Sequence, residues 1–175
     1  MQGQKIKTQP VAPQSYDNND DRDEAMDQIF RHKEAKGLSV DDIAATLEYT
    51  NLYTAQILQM KSPLNPAKAD VLKGLLDLDQ STMDEMVKAG SRRYDSDIAQ
   101  EPTVYRLMEA VQHYGESIKM IINEKCGDGI PSAIDMYCDV DVVKGQKGED
   151  RVVLKFNMKY LQFIEQNTED IQEKK

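Results

Sequence analysis

The feature that most constrains this chain is a change of hydrophobic period part-way along it. From about residue 23 to residue 125 the apolar residues recur every three or four positions, the spacing that gathers them on one side of an α-helix. From Ile134 the period becomes two. Ile134, Met136, Cys138, Val140 and Val142 alternate with Asp135, Tyr137, Asp139, Asp141 and Val143, and Val152, Leu154, Phe156 and Met158 repeat the pattern after a polar loop at 144–150. Period two is the signature of strands, and two such runs around a Gly-containing loop read as a β-hairpin. Helices first and strands afterwards define an α+β chain rather than an alternating α/β one.

The helical stretch divides into pieces. A first helix is expected over 23–36, with Met26, Ile29 and Phe30 inward and Gly37 as its stop. Ser39 caps a second, with Asp42 completing a short-armed capping box. A third is expected over 51–60. Asn65-Pro66 opens a fourth, since proline suits a first helical turn, and Ser81 with Asp84 opens a fifth. This five-helix bundle over 21–90 resembles the phage-repressor DNA-binding domains, with 39–60 as the helix-turn-helix. Its charge points the other way. Residues 20–89 hold 8 basic and 14 acidic side chains, a net of −6, and 51–60 has no Lys or Arg. Such a surface repels phosphates. A helix-turn-helix regulator with a C-terminal dimeriser is therefore the alternative reading, and a bundle used for packing is the preferred one.

The whole chain is also acidic, at −9, which opposes nucleic-acid and anionic-membrane partners. No apolar run reaches the ~18–20 residues that cross a bilayer. Residues 1–20 are polar, contain Pro10 and Pro13, and read as a disordered arm; residues 165–175 read as an acidic tail. Two cysteines, Cys126 and Cys138, form neither a disulfide framework nor a metal-ligand spacing, so a reducing cytoplasm is the expected setting. His32 and His113 lack a second ligand at i±4, and packing or surface roles are expected of both.

Residues 91–101 (SRRYDSDIAQE) read as a linker, and 102–164 as a second domain. Pro102 starts a long helical pattern to about Lys125, with Val104, Leu107, Met108, Val111, Ile118, Ile121 and Ile122 in phase. Gly115 in its middle predicts a break into two helices. A two-stranded hairpin is marginal alone in water, so its apolar face needs cover, and an intertwined dimer is expected.

The densest motif spans 101–136, EPTVYRLMEAVQHYGESIKMIINEKCGDGIPSAIDM. It holds Pro102, Thr103, Tyr105, Arg106 and Glu109 at a helix start, then Tyr114-Gly115, Glu-Lys-x-Gly-Asp-Gly-Ile over 124–130, and Ser132-Ala133-Ile134; Lys159-Tyr160-Leu161 follows near the second strand's end. In these residues the chain closely resembles the cyanase (cyanate hydratase) family, over about 23–161. The resemblance implies a lyase that decomposes cyanate with bicarbonate to carbamate and carbon dioxide, an activity tied to detoxification or nitrogen metabolism. It implies catalytic positions at Arg106, Glu109 and Ser132, no cofactor or metal beyond bicarbonate as co-substrate, and a homodecamer of five dimers. Cys126 and Pro131 depart from the residues usual in the family, and the chain continues past Leu161 where family members tend to stop.

The residues themselves are compatible with that chemistry. Arg106 and Glu109 are three apart and share a helix face, although such a pair taken alone is more often a surface ion pair. Ser132 alone would more often be a cap, and there is no GxSxG elbow. Cyanate and bicarbonate are both anions, and at ~4 Å in an effective dielectric of ~20 they repel by about 4 kcal/mol. A guanidinium stays charged and matches a carboxylate-like anion with two parallel donors. A serine hydroxyl can donate to the charge that develops on cyanate. Glu109 is expected to orient Arg106 and help relay a proton to nitrogen.

Overall fold

A computed structural model describes residues 19–88, 90 and 94–166. The expected arm and tail lie outside these residues, except that Asn19 and Asp20 already belong to the first helix and 165–166 to the end of the described chain. The order is α1 (Asn19–Ala35), α2 (Val40–Leu47), α3 (Asn51–Leu58), a 3-10 turn (Pro66–Lys68), α4 (Ala69–Leu76), α5 (Gln80–Met86), a second 3-10 turn (Ser96–Gln100), α6 (Pro102–Cys126), β1 (Gly129–Lys144) and β2 (Asp150–Gln162). The chain is thus α+β, helices then a two-stranded hairpin.

Local chemistry accounts for the helix ends. Gly37 ends α1 at φ 63°. Its N–H reaches Glu34 O and the next N–H, of Leu38, reaches Lys33 O, the paired bonds of a Schellman motif. Ser39 and Asp42 form the full reciprocal capping box of α2. These bonds from the Ser39 hydroxyl and N–H hold the Asp42 carboxyl below its usual range. The fifth helix starts differently from the Ser81–Asp84 expectation: its N-cap is Asp79. One Asp79 oxygen accepts from Thr82 N (2.8 Å) and Ser81 Oγ (2.9 Å), and the other from Gln28 Nε2 of α1 (2.8 Å). An anionic oxygen at a helix N-terminus is a stronger acceptor than a serine hydroxyl. The bonds, from Thr82 first, keep this carboxyl well below the usual carboxylate range.

Five helices bury a common core. Ile29 of α1, Ile43 and Leu47 of α2, Ile57 and Leu58 of α3, and Leu72 and Leu76 of α4 are all fully buried, with Met83 and Met86 of α5 beside them. His32 contributes to this packing, its Nδ1 lying 2.8 Å from Leu76 O at the end of α4. Truncating a fully buried aliphatic removes transfer free energy and leaves a cavity. Ile57→Ala should therefore lower stability by about 2–5 kcal/mol, read as an earlier urea midpoint in far-UV circular dichroism. A midpoint equal to wild type would mean that this core does not hold the bundle.

The predicted break at Gly115 does not occur. α6 is one helix of 25 residues, which makes the α-helices of the described residues six. A mid-helix glycine costs only about 1 kcal/mol relative to alanine, and the apolar period continues through it. The hairpin is longer at both ends than the alternation indicated. β1 has 16 residues and β2 has 13, against a usual ~5–6. Its loop closes by Gly145 N to Glu149 O (2.8 Å) and a Lys144–Asp150 ion pair. The residues cluster into two compact units. One combines the bundle with the hairpin tip, Cys138–Lys155, and the other combines Tyr94–Tyr137 with β2 from Phe156 onward.

Candidate active site

All three candidate residues lie in the second unit. Glu101 caps α6, its carboxylate accepting from Thr103 N (2.8 Å) and Val104 N (3.3 Å), and Pro102 occupies the first turn with φ already set. This start places Arg106 and Glu109 in the early turns of a straight helix. Arg106 Nη1 donates to Glu109 Oε2 at 2.5 Å, and the Arg106 side chain remains 73% exposed. The Tyr105 ring lies 5.7 Å from the guanidinium carbon. At ~3.6 residues per turn, this pair falls on the side of α6 away from Leu107, Val111 and Ile118. Glu109 thus engages one edge of the guanidinium, and the rest of the fork faces outward.

Ser132 lies inside β1, and its hydroxyl oxygen accepts two backbone N–H groups, Asp135 N at 3.0 Å and Ile134 N at 3.2 Å. A serine hydroxyl has two lone pairs and one hydrogen. With both lone pairs engaged, the oxygen is a poor nucleophile and the hydrogen is left for an outside acceptor. The arrangement suits donation to an anion rather than covalent catalysis. Among the described residues, neither Arg106 nor Glu109 hydrogen-bonds to Ser132 within the chain. Within the chain the Arg–Glu pair bonds to itself and Ser132 bonds to the backbone of its own strand.

Two other features of the described residues do not favour an anion. A cleft of about 400 Å³ between α1 and α5 is lined by Asp21, Glu24, Asp79 and Glu85 among others, a lining that repels anions. The end of α3 that a helix-turn-helix protein would present to base edges is occupied. Asn51 Nδ2 donates to Val140 O (2.7 Å) on the hairpin and to Asp41 Oδ1 (2.8 Å), and Asn51 Oδ1 accepts from Val140 N (3.1 Å). Every hydrogen of this amide is committed to the protein. Sequence reasoning placed Asn51 at a helix start and had no signal for its bonds to the hairpin.

Most apolar residues of α6 remain exposed in the single chain. None of its residues is buried in the single chain. Leu107, Val111, Tyr114, Ile118 and Ile121 are 45–64% exposed. On the hairpin Ile134, Val152 and Phe156 are open as well. Scattered apolar residues on a surface are ordinary, but a continuous stripe marks an interface.

A helical bundle followed by one long helix and a hairpin is the fold of cyanase. The crystal structure of cyanase from T. urticae matches with a TM-score of 0.70 and 29% identity, covering 80% of this chain and 98% of that one. The sequence family described as "Cyanate lyase C-terminal domain" matches residues 96–165. Cyanate hydratase of Phaeodactylum tricornutum is 47% identical over 144 residues, covering 81% of this chain and 75% of the relative. That of Arabidopsis thaliana is 46% identical over 145 residues, covering 82% and 86%. That of Pseudomonas syringae is 30% identical over 151 residues, covering 86% and 97%. The chain belongs to the cyanate hydratase family.

Proposed function

We propose that this chain catalyses the bicarbonate-dependent decomposition of cyanate, with Arg106, Glu109 and Ser132 as its catalytic residues and 102–164 as the catalytic and dimerising half. The observation that carries the mechanism is the Ser132 hydroxyl, whose two lone pairs are engaged by backbone N–H groups so that it can only donate. The substrates are cyanate and bicarbonate, with no cofactor or metal. Arg106 neutralises the repulsion between two anions held side by side, and their adjacency removes much of the entropic barrier. A bicarbonate oxygen attacks the cyanate carbon, forming a C–O bond. The bicarbonate proton passes to nitrogen, giving a dianionic carbonic–carbamic anhydride. Cleavage of the bond between the bridging oxygen and the bicarbonate-derived carbon expels carbon dioxide. A further proton to nitrogen leaves carbamate, which decomposes to ammonia and carbon dioxide outside the site. Glu109 orients Arg106 and serves the proton transfers. Ser132 donates to the charge developing on cyanate.

The site is completed by assembly. No hydrogen bond joins Arg106 to Ser132 among the described residues, no residue of α6 is fully buried in the single chain, and apolar residues of the hairpin are open. All three fit an intertwined dimer through the hairpin and a decamer of five such dimers, in which guanidinium groups from several subunits converge and offset the acidity of the chain. A cytoplasmic setting agrees with two cysteines that are both free and with the fact that no described helix is long and apolar enough to span a membrane.

The deciding measurement is ammonia release from cyanate with and without added bicarbonate in carbon-dioxide-depleted buffer. Turnover is expected only with bicarbonate, and the first carbon dioxide released should carry the label of isotopically labelled bicarbonate. Equal ammonia yield without bicarbonate would refute the mechanism. The helix-turn-helix alternative is disfavoured by the bonds that tie up Asn51 and by the acidity of the bundle.

A further inference from the structure

Lys159-Tyr160 is a motif that the mechanism above leaves unused, and it sits against the segment that carries Ser132. Tyr160 Oη donates to Gly127 O at 2.6 Å, which satisfies a carbonyl at the end of α6. The Tyr160 ring lies over Gly129. A Cβ built there would stand 2.6 Å from the ring and 2.4 Å from Leu161 O, so only glycine allows the approach. Gly127 has φ 84° and ψ −158°, a region open essentially to glycine alone. Phe163 N then donates to Asp128 O at 2.9 Å. The turn at 127–129 is thus held by residues 160–163, the end of β2 and the residue after it. On the far side of Ser132, Lys159 Nζ pairs with Asp135 Oδ2 at 2.9 Å, and Asp135 N is one of the two donors to Ser132 Oγ. Ser132 is three residues from each anchored point.

We propose that Tyr160 is a positioning residue for the reaction, holding the Gly127–Gly129 turn so that the Ser132 hydroxyl points at the substrate. This rests on the reading of Ser132 as the donor to cyanate. Tyr160 touches no reacting atom. It acts by fixing the backbone that fixes Ser132, and small errors in such placement are costly, since a displacement of about 1 Å can lower a rate about a hundredfold.

The test is Tyr160→Phe, which keeps the ring over Gly129 and removes only the hydroxyl, made in both the wild-type and the Ser132→Ala background. In the wild-type background kcat should fall about tenfold, with KM for bicarbonate within about twofold, because the serine is asked to act on the transition state. In the Ser132→Ala background, itself about 10²–10³-fold slower, the same change should be silent. A parallel hydrogen-exchange measurement on the intact oligomer should show faster exchange in the peptide containing Ile134 and Asp135. Unchanged kcat, an equal fall in both backgrounds, or unchanged exchange in that peptide would overturn the assignment. A wild-type protein without bicarbonate-dependent turnover would instead refute the functional reading, and the exchange measurement would still report on whether Tyr160 holds the turn.

Discussion

Arg106→Ala is expected to lower cyanate turnover about a thousandfold or more, with the oligomer intact by sedimentation. Two anions about 4 Å apart repel by about 4 kcal/mol at an effective dielectric of ~20, and each ~1.4 kcal/mol of barrier is tenfold in rate. A site that loses the guanidinium must meet that repulsion without compensation. The cost to folding is small, since the side chain is 73% exposed and pairs with Glu109 on the same helix. Such surface pairs contribute about 0.2–1 kcal/mol. Arg106→Lys should also be poor, because Glu109 already engages one edge of the group and an ammonium cannot present two parallel donors on another. Normal turnover by Arg106→Ala would remove this residue from the site.

Ile118→Glu is expected to dissociate the proposed assembly and abolish activity with it. Ile118 lies mid-helix in the stripe of Leu107, Val111, Tyr114 and Ile121, and is 46% exposed in the single chain. A carboxylate there meets water in a free subunit and apolar surface in an assembled one. Burying an uncompensated charge costs about 3–5 kcal/mol. In a two-fold interface each substitution counts twice, so dissociation constants should rise by roughly 10⁴-fold or more. Size-exclusion chromatography with light scattering reads the result. The helical signal of the bundle should persist, because its core of Ile43, Leu47, Ile57 and Leu72 does not include α6. A variant that elutes as wild type would show that this stripe faces no partner.

Legibility followed the range of each interaction. The capping box at Ser39–Asp42 and the stop at Gly37 were readable because their bonds close within a few residues, and so was the Arg106–Glu109 pair. Gly115 misled because intrinsic propensity is a weak term beside a continuous apolar period. The start of α5 misled because Ser81 and Asp79 both offer oxygen. The carboxylate of Asp79 is the stronger acceptor for Thr82 N, and Gln28, 51 residues away, adds a bond to it that no local pattern signals. Tyr160 was visible as part of a motif, but its role was not, since Gly127 lies 33 residues from it in sequence. The bonds of Asn51 to Val140, 89 residues on, left no mark in any local pattern.

The sequence by itself determined the order of helices and strands and the face that the bundle helices bury, because hydrophobic period and capping chemistry act over one or two turns. It also carried Arg106, Glu109 and Ser132, residue types that suit the proposed anion chemistry. Only the three-dimensional structure decided that both lone pairs of Ser132 are spent on backbone N–H groups, that residues 160–163 clamp the glycine turn, and that most apolar residues of α6 stay exposed in the single chain. The Ser132 bonds close within three residues but turn on the exact local backbone, whereas the clamp joins segments 33 residues apart, and no periodicity encodes either.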